Sequence, residues 1–316
     1  MPTIKDIAKA AGVSHGTVSN VLNKRGGVSY EKIRLVERTA IAMGYAIDEQ
    51  ASLLRRGTTR TIAAILPNVT ERQYADLYTG LLRLSEKRRY SVRLFLTGDL
   101  PYLERGAIKE ALALKVCGVL AVSCLPSIKT EYAAVKDRKI PLLFLTRAPL
   151  DASFPAYCFD MEEAARLAAS KLDDPSTACA VTGEALFSDQ AAFRQALFSL
   201  LPEQAFFANA RGEQSPAVYA LMQQAPRPSC VVCTSETLAD KVRRAYLQSS
   251  AHPPKIVALS SLRPSASAHY HTVALNYRML GHEGAAALIA HLDGKAPLAS
   301  RVFPVSGCSG PVAAPA

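Results

Sequence analysis

The chain has 316 residues and a formal net charge of +10, and 49% of its residues are hydrophobic. This length suggests about two domains, and the apolar content excludes a largely disordered chain. The longest apolar stretch, residues 116–125, is about half as long as the roughly 20 residues of a membrane-spanning helix. A secretory signal has an apolar segment shortly after its N-terminus, whereas this chain has an acid at Asp6 and no such segment. We therefore expect a cytoplasmic protein.

The positive charge is concentrated near the N-terminus. Residues 1–60 hold ten Lys and Arg residues against five Asp and Glu residues, whereas the longer remainder is closer to neutral. A small basic unit beside a nearly neutral body is typical of proteins that bind nucleic acid. A solvated basic surface would have the same composition, so charge alone leaves both interpretations open.

Residues 1–45 carry the signals of three short helices. Thr3, Ser14 and Ser29 are suited to cap the helix starts, and Gly12 and Gly44 are suited to end the first and third helices. A helix, a four-residue turn and a polar second helix have helix-turn-helix geometry, in which the second helix enters the DNA major groove. Apolar residues at helical spacing predict one shared core: Ile4, Ile7, Ala8, Ala11, Val18, Val21, Leu22, Ile33, Val36, Ala40 and Met43.

A connector follows at residues 46–60. Its segment 48–56 is too short to form a stable isolated helix in water, so we expect it to stay disordered until it binds a partner. The sequence thus divides into parts at 1–46, 47–60 and 61–316.

From residue 61 onward, predicted strands alternate with predicted helices. The strands are 62–66, 92–96, 118–123, 142–145, 178–182, 205–208, 230–234 and 256–259; the helices begin near Tyr74, Leu103, Ser127, Met161, Ser188, Pro216, Ser235 and Tyr277. This alternation indicates parallel sheets covered by helices. So many strands form either one very large sheet or two lobes, and the stretch near Asp160 is the candidate crossover.

Short runs at fixed spacing mark the N-terminal part: Thr3-Ile4-Lys5-Asp6-Ile7-Ala8, Ala11-Gly12-Val13-Ser14, Thr17-Val18-Ser19, Val21-Leu22-Asn23, Val28-Ser29 and Gly44-Tyr45. With these runs, the sequence closely resembles the lactose/galactose-repressor family of bacterial transcription regulators. The resemblance implies a small all-α helix-turn-helix unit and a two-lobed α/β domain like that of periplasmic sugar-binding proteins. It implies a homodimer that represses carbohydrate-related genes at a pseudo-palindromic double-stranded DNA operator. A sugar or sugar derivative would bind between the lobes.

The resemblance also assigns DNA contacts. On the second helix, His15, Gly16 and Asn20 would face base edges, and the favoured bidentate partner of Asn is adenine. Residues suited to other DNA contacts, chiefly to phosphates, are Thr3, Ser14, Thr17, Ser19 and Asn23. For Thr17 and Ser19, helix capping and solvation are the competing interpretation.

In the connector, family members fold a hinge helix in the minor groove. Leu54 falls at the position of the wedging leucine, Ala51 fits the hinge pattern, and Arg55 is placed to neutralise a phosphate. Ser52 stands where the family has arginine, and Ile47-Asp48 stands where it has Pro-Asn. These departures leave two interpretations open, a hinge that binds DNA more weakly or an operator with a different centre.

The resemblance places an effector between the lobes, near Tyr74, Arg147, Asp160, Arg194 and Glu236. Four of the positions depart from the family pattern: Glu236 stands where an aspartate is usual, Ser260 replaces an expected aspartate, Asn276 replaces a common glutamine, and Arg72 replaces a proline. Losing an acid and gaining an arginine predicts a more positive cleft. The resulting expectation is an anionic effector, such as a phosphorylated sugar or a sugar acid, because Arg binds such groups bidentately.

Two other classes of function compete with a regulator. A solute-binding receptor would use the same two-lobed body but does not require the basic N-terminal part. An enzyme would require a phosphate-binding or nucleophile motif, and none is present. Cys230 and Cys233 lie three apart on a predicted strand and face opposite sides, so they are predicted to be buried thiols. We therefore predict no catalytic residue, metal or cofactor.

Overall fold

The computed structural model describes residues 2–22, 27–44, 59–151, 153–184, 186–201, 206–209, 216–223, 227–249, 251–261 and 269–309. By contact density, the chain divides into Met1–Thr58 and Thr59–Ala316. Within the described residues, no helix is long and apolar enough to span a membrane.

The N-terminal unit contains helices α1 (Ile4–Ala10), α2 (His15–Leu22) and α3 (Tyr30–Ala42). Thr3 and Asp6 form a reciprocal capping box at the start of α1. Ser14 Oγ accepts a hydrogen bond from the Thr17 amide at 3.1 Å at the start of α2, whereas Ser29 stands at the α3 cap without a side-chain cap bond. Gly12 and Gly44 have φ of 62° and 61°, the left-handed conformation that ends helices.

The predicted core of this unit is confirmed. Residues from all three helices form one buried cluster: Ile7, Ala8, Ala11, Val18, Val21, Val36 and Ala40. The remaining predicted members, Ile4, Leu22, Ile33 and Met43, are partly buried against it. The helical period of the apolar residues thus specified which face of each helix turns inward.

The second unit alternates strands with helices. In chain order it contains β1 (Thr61–Leu66), α4 (Arg72–Lys87), β2 (Ser91–Leu96), α5 (Pro101–Ala113), β3 (Gly118–Ala121), α6 (Ile128–Glu131), α7 (Ala133–Asp137), β4 (Leu142–Leu145), β5 (Ala156–Phe159), α8 (Met161–Ala169), a 3-10 turn (Pro175–Thr177), β6 (Ala178–Thr182), α9 (Ser188–Phe198), β7 (Phe206–Asn209), α10 (Pro216–Met222), β8 (Cys230–Cys233), α11 (Glu236–Gln248), β9 (Lys255–Ser261), β10 (His271–Leu275), α12 (Tyr277–Leu292), β11 (Arg301–Phe303) and β12 (Cys308–Ser309).

The strands form two six-stranded sheets. Lobe 1 is built on the order β11-β5-β4-β3-β1-β2, and lobe 2 on β12-β10-β9-β8-β6-β7. All the pairs are parallel except β10 with β12. The alternating pattern therefore indicated the correct architecture, because parallel neighbours need a crossover helix.

The chain passes between the lobes three times. The first crossing joins β5 to α8 at Asp160, as the sequence predicted, and the others lie between β10 and α12 and between β11 and β12. The sequence interpretation missed four strands: β5, β10, β11 and β12. They are two to five residues long, and β11 pairs with a strand about 140 residues earlier, which no local pattern reveals.

The two cysteines of the Cys-Val-Val-Cys run are buried free thiols on β8. Cys230 joins the cluster on one face of the lobe 2 sheet, and Cys233 joins the cluster on the other face. No group of His, Cys, Asp and Glu side chains in the described part of the chain is arranged to hold a metal ion.

Helices α4 and α12 touch backbone to backbone in lobe 1. A Cβ atom added at Gly80 would overlap the carbonyl oxygen of Arg278, and one added at Gly281 would overlap the carbonyl oxygen of Leu77. Glycine is therefore required at both positions by the close approach, although both lie within helices, where glycine is otherwise unfavourable.

Replacing Gly80 with alanine should destabilise lobe 1 by roughly 3 kcal/mol, because the added methyl group forces the two helices apart. Gly106→Ala is the matched control, since Gly106 lies in α5 with open space around the added Cβ. It should stabilise the protein by about 0.5–1 kcal/mol through helix propensity. Urea unfolding of both variants tests this contrast, and equal shifts would contradict the assigned contact.

Candidate nucleic-acid interface and effector cleft

Helix α2 presents its polar side away from the N-terminal core. Val18 and Val21 are buried, whereas Ser14, His15 and Gly16 are exposed. The predicted contacts Thr17, Ser19 and Asn20 are half-buried, and Thr3 caps α1. The start of α2 therefore offers backbone N–H groups and short polar side chains, a combination that suits contact with phosphates and base edges.

Ser14 and Thr17 serve the structure of α2 itself. The Ser14 and Thr17 hydroxyls lie 2.8 Å apart, and Ser14 also caps the helix. Four predicted contacts, Asn23, Ala51, Leu54 and Arg55, lie outside the described residues, as do Ile47-Asp48 and Ser52.

A cavity of about 520 Å³ lies between lobe 1 and lobe 2. Lobe 1 contributes the start of α4 and the loop after β2, and lobe 2 contributes the starts of α9 and α11. Its lining is mainly uncharged and polar, with amides and hydroxyls from Asn68, Thr70, Gln73, Gln190, Thr234, Ser235 and Thr237. The charged side chains in the lining are Glu71, Asp99, Arg147, Glu184 and Lys241, and its aromatic side chains are Tyr74 and Phe187. Such walls suit a hydroxyl-rich small molecule.

Arg147 is a buried cation in the cavity wall. Its guanidinium donates to both Asp99 carboxylate oxygens, at 2.6 and 3.0 Å, and to Tyr74 Oη at 3.0 Å. A fourth bond of 3.3 Å reaches the Ser123 carbonyl. The Phe187 ring covers the guanidinium, with its centroid 3.7 Å from Cζ. Because Phe187 belongs to lobe 2 and the other groups to lobe 1, Arg147 joins the two lobes.

Strained backbone at Thr146 sets the direction in which the Arg147 side chain leaves β4. Thr146 has a φ of 63°, a conformation that is unusual for a β-branched residue, and it sends the chain out of β4 so that Arg147 enters the cleft. Asp99 has a φ of 58°, which Asp tolerates better than most residues. Strained backbone of this kind is concentrated at functional sites.

Burial and neighbouring charges shift the ionisation of the site. Burial lowers the pKa of Arg147, but Tyr74, Asp99 and Asp189 outweigh it, so this pKa stands above its ordinary value. Burial also raises the pKa of the Tyr74 phenol. At neutral pH the site therefore holds a cationic Arg147 and an uncharged Tyr74.

Glu71 starts α4 at the cavity wall. Its two carboxylate oxygens accept hydrogen bonds from Asn68 and Gln73, each at 3.1 Å. Burial raises the pKa of Glu71, and the nearby negative charge of Asp99 raises it further. The hydrogen bond from Asn68 opposes this rise by favouring the charged carboxylate.

A smaller cavity of about 170 Å³ adjoins the first and contains three of the predicted effector residues. Arg72 Nε lies 3.5 Å from Glu236 Oε2, and Ser260 donates a short hydrogen bond to the same carboxylate. Burial raises the pKa of Glu236, while Arg72 and Ser260 lower it. The arginine that was expected to make the cleft positive is therefore matched by a carboxylate from lobe 2.

Three other predicted effector residues are not among the described residues that line either cavity. Asp160 caps α8 by accepting from the Glu163 amide at 2.8 Å, and Asn276 caps α12 by accepting from the Met279 amide at 2.9 Å. Arg194 lies over the Phe198 ring on α9. Tyr74 and Arg147 line the main cavity, and Arg72, Glu236 and Ser260 line the smaller one.

The sequence interpretation overlooked Glu71, Asp99 and Asp189 in this region. Asp99 follows a predicted strand and Asp189 starts a predicted helix, so their positions at a cleft edge were open to inference. Their pairing with Arg147 was not, because these residues are separated by 48 and 42 positions in the chain.

Glu104 is a buried carboxylate that holds the loop contacted by Arg147. Its fully buried carboxylate accepts from Ser123 Oγ at 2.6 Å, from the Cys124 amide at 2.8 Å and from Tyr132 Oη at 2.7 Å. These bonds hold the loop after β3, whose Ser123 carbonyl accepts from Arg147. A buried carboxylate is tolerated when hydrogen-bond donors surround it in this way.

Comparison with known proteins finds a matching family model, relatives of similar sequence and solved structures of similar fold. Residues 3–47 match the family of bacterial regulatory proteins called lacI. The fructose operon regulatory protein of Vibrio cholerae is 29% identical, and the match covers 48% of each chain. The chain thus spans about half the length of this relative. The transcriptional repressor PurR of Vibrio vulnificus is 27% identical over 76% of this chain and 75% of its own.

Among solved structures, the Lac repressor dimer bound to operator and an anti-inducer has the same fold. Its TM-score is 0.78 at 19% identity, over 96% of this chain and 97% of the repressor chain. At this identity the likeness concerns the architecture, a helix-turn-helix unit followed by a two-lobed α/β domain.

The ion pair of Arg147 with Asp99 should be structurally important. Asp99→Asn keeps the side-chain shape but removes the carboxylate that accepts two hydrogen bonds from the buried Arg147 guanidinium, so we expect a loss of about 2 kcal/mol. The exposed pair of Arg93 with Glu110 supplies the control, since Glu110→Gln should change stability by less than about 0.5 kcal/mol. Urea unfolding measures both, and a neutral Asp99→Asn would refute the assigned pairing.

Proposed function

We propose that the chain, whose residues 3–47 match the lacI family of bacterial regulatory proteins, is a transcription regulator of that family that binds operator DNA and responds to a small effector. Residues 1–46 bind DNA, residues 47–60 form the hinge, and residues 61–316 bind the effector and form a homodimer. Repression of carbohydrate-related genes is the proposed output. Such a regulator acts in the cytoplasm, where its operator lies.

The observation that carries this proposal is one chain with two separate sites. The exposed start of α2 suits a DNA groove, and the cavity around Arg147 suits a small polar ligand. A regulator needs both sites, since its effector must change the affinity for DNA.

In the DNA complex, Asn20, His15 and Gly16 face base edges, and Asn20 is the residue best able to distinguish one base. Thr3, Ser14, Thr17, Ser19 and Asn23 contact the sugar-phosphate backbone or cap the helices that do. Ala51, Leu54 and Arg55 enter the minor groove when the hinge folds. Two such units on a two-fold axis read the two halves of a pseudo-palindrome.

The effector acts through the cross-lobe contacts. A ligand in the cavity touches Tyr74 and Arg147 from lobe 1 together with Thr234 and Ser235 from lobe 2, so its binding depends on the angle between the lobes. The ligand changes DNA binding only to the extent that it prefers one arrangement of the lobes.

Exposed apolar side chains support the homodimer. Leu96 on the edge strand β2 and Leu100, Tyr102 and Leu103 around the start of α5 are all at least 40% exposed. Apolar side chains in one region of an edge strand and adjoining helix are typical of a subunit interface.

Selection of random double-stranded DNA by the purified full-length chain tests the proposed function. We expect a palindromic consensus whose two halves have a fixed spacing, because a symmetric dimer imposes that spacing. Failure to enrich any sequence, both alone and with sugars and sugar phosphates present, would overturn the proposal.

Asn20→Ala should weaken binding to the selected operator by about 1–3 kcal/mol and relax the preference at one base pair in each half-site. Ile41→Ala provides the control, because Ile41 lies on α3 and is 79% exposed. It should leave operator affinity unchanged. Fluorescence anisotropy with the consensus and with single-base variants measures both effects, and an unrelaxed preference in Asn20→Ala would exclude direct base contact.

A further inference from the structure

Three helices of lobe 1 end in the same motif, with a cation at its left-handed position. The residue after each helix cap has a positive φ: 61° at Arg89 after α4, 53° at Lys115 after α5 and 54° at Lys139 after α7. In all three, the next amide donates a hydrogen bond to the carbonyl five residues earlier, which is typical of the Schellman motif. Glycine is the usual residue at this position.

Elsewhere the chain has glycine after its helix caps. Gly12, Gly44 and Gly294 follow the caps of α1, α3 and α12, with φ of 62°, 61° and 71°. Arg and Lys are less stable than glycine in this conformation, because their Cβ atom crowds a neighbouring carbonyl oxygen. Since strained residues are concentrated at functional sites, the three cations indicate a function that depends on their charge.

Interaction with the helix dipole does not account for this charge. A cation near the C-terminus of a helix is stabilised by the dipole, but Arg88 and Arg138 already occupy the cap positions of α4 and α7. A second cation beside each of them, at Arg89 and Lys139, meets a like charge as well as the dipole. The charge is therefore in excess of what the helix ends need.

The cations lie along one edge of the lobe 1 sheet. Strands β4, β3, β1 and β2 are neighbours in that order and run parallel, so their amino ends share an edge. An exposed cation stands one to three residues before each strand, in the same order: Lys139, Lys115, Arg60 and Arg89. Neighbouring strands are about 4.8 Å apart, so this row of four cations, the basic edge, is roughly 14 Å long.

Hydrogen bonds hold the connections that carry the basic edge. Arg60 donates through its guanidinium to the carbonyls of Arg88 and Arg89, each at 3.1 Å. The Thr59 hydroxyl donates to the Lys115 carbonyl at 2.8 Å. The connections that precede β1, β2 and β3 are thereby held side by side, and their cations project from a fixed backbone.

The connections at this edge account for the net charge of the second unit. Those that lead into lobe 1 strands from a helix or from the N-terminal unit are residues 59–60, 88–90, 114–117, 138–141 and 293–300. Together they hold seven Lys and Arg residues and one Asp residue. Outside them, residues 61–316 hold 21 basic and 21 acidic residues. The positive charge is therefore concentrated at one edge, which suits a polyanion.

The chain enters lobe 1 at the basic edge. Thr59, the first residue of the second unit, is buried there. Residues 47–58, which join it to the N-terminal unit, can span at most roughly 43 Å when fully extended. Operator DNA that is bound by residues 1–46 would therefore be tethered to the basic edge at a high effective concentration.

We propose that the basic edge is a second DNA-binding surface, at which its four cations contact the phosphate backbone of the operator duplex. This inference rests on the proposed function, since it adds a contact to the same DNA. Duplex DNA carries one negative charge per about 1.7 Å of its axis, so a row of roughly 14 Å can meet several phosphates. Phosphate contacts add affinity and salt dependence but read no sequence.

The test compares the native full-length chain with two variants of the basic edge. The edge variant carries Arg89→Gln, Lys115→Gln and Lys139→Gln, which together remove three charges and keep the side chains long. The charge-preserving variant carries Arg89→Lys, Lys115→Arg and Lys139→Arg. Arg60 is kept in both, because its guanidinium holds the carbonyls of the edge.

A control variant loses the same charge elsewhere. It carries Lys129→Gln, Arg166→Gln and Arg244→Gln, whose native side chains are exposed and lie on α6, α8 and α11, outside the connections of the basic edge. Fluorescence anisotropy with the selected operator, over a series of NaCl concentrations, gives the slope of log affinity against log salt concentration for each protein.

We expect the slope of the edge variant to be shallower by about 1–3 per chain, because each lost phosphate contact removes about 0.9. Its operator affinity in about 0.1 M NaCl should fall by at least about tenfold, while its preferred sequence stays the same. The charge-preserving and control variants should match the native chain. Equal slopes in the edge variant and the native chain would overturn the inference, and so would an equal change in the control variant.

Glycine at the three strained positions separates DNA contact from a structural role. A variant with Arg89→Gly, Lys115→Gly and Lys139→Gly relieves the strain, so its melting temperature should be no lower than that of the native chain, with the shallow slope of the edge variant. A lower melting temperature with an unchanged slope would assign the cations to the helix ends and overturn the inference. If the edge variant does not fold, as judged by circular dichroism, the glycine variant replaces it under the same criteria.

The proposed function and this inference fail in different ways. A native chain that selects no DNA overturns both of them. A native chain that selects a palindrome, with equal slopes in the native chain and the edge variant, overturns the inference alone.

Discussion

The backbone contact between α4 and α12 is the constraint from which the cleft follows. Helix α4 begins at the cavity wall with Arg72 and Tyr74, and α12 begins where the chain returns from lobe 2 to lobe 1. Gly80 and Gly281 let the two helices approach until backbone meets backbone, which leaves little freedom in their relative position. Arg278 on α12 then reaches Asp76 on α4 at 2.5 Å, and Asp76 accepts from Ser261 of lobe 2 at 2.6 Å.

Two ion pairs in the cleft depend on the opposite lobe or on strained backbone: Arg72 with Glu236, and Arg147 with Asp99. Arg147 enters from the left-handed turn at Thr146 and meets Asp99 from the loop after β2. Glu104 holds the third loop, which carries Ser123. Buried charges are stable only when matched. The Arg147 guanidinium therefore links the loops after β2, β3 and β4, because Arg147 follows β4 and donates hydrogen bonds to Asp99 and to the Ser123 carbonyl. A change in the lobe angle would act on that guanidinium through Phe187 and Asp189.

Much of the fold was accessible from the sequence. The three N-terminal helices, their core and the cap at Ser14 followed from local spacing, because a short helical unit depends on neighbours that are close in the chain. Eight strands of the second unit also followed, since buried parallel strands are continuous apolar runs. β11 escaped because it is three residues long and has only one buried side chain, Phe303.

Local sequence patterns were sufficient to predict the helix-turn-helix unit, the alternating α/β body and the first lobe crossing at Asp160. It also identified Tyr74 and Arg147 as residues of the cleft region, where both line the cavity. The pairing of charges became visible only in the folded chain: Arg72 with Glu236, and Arg147 with both Asp99 and Asp189. The physical reason is that helix and strand patterns arise from neighbours within a few residues, whereas the electrostatics of a cleft depends on the distances between side chains that meet only after both lobes have folded.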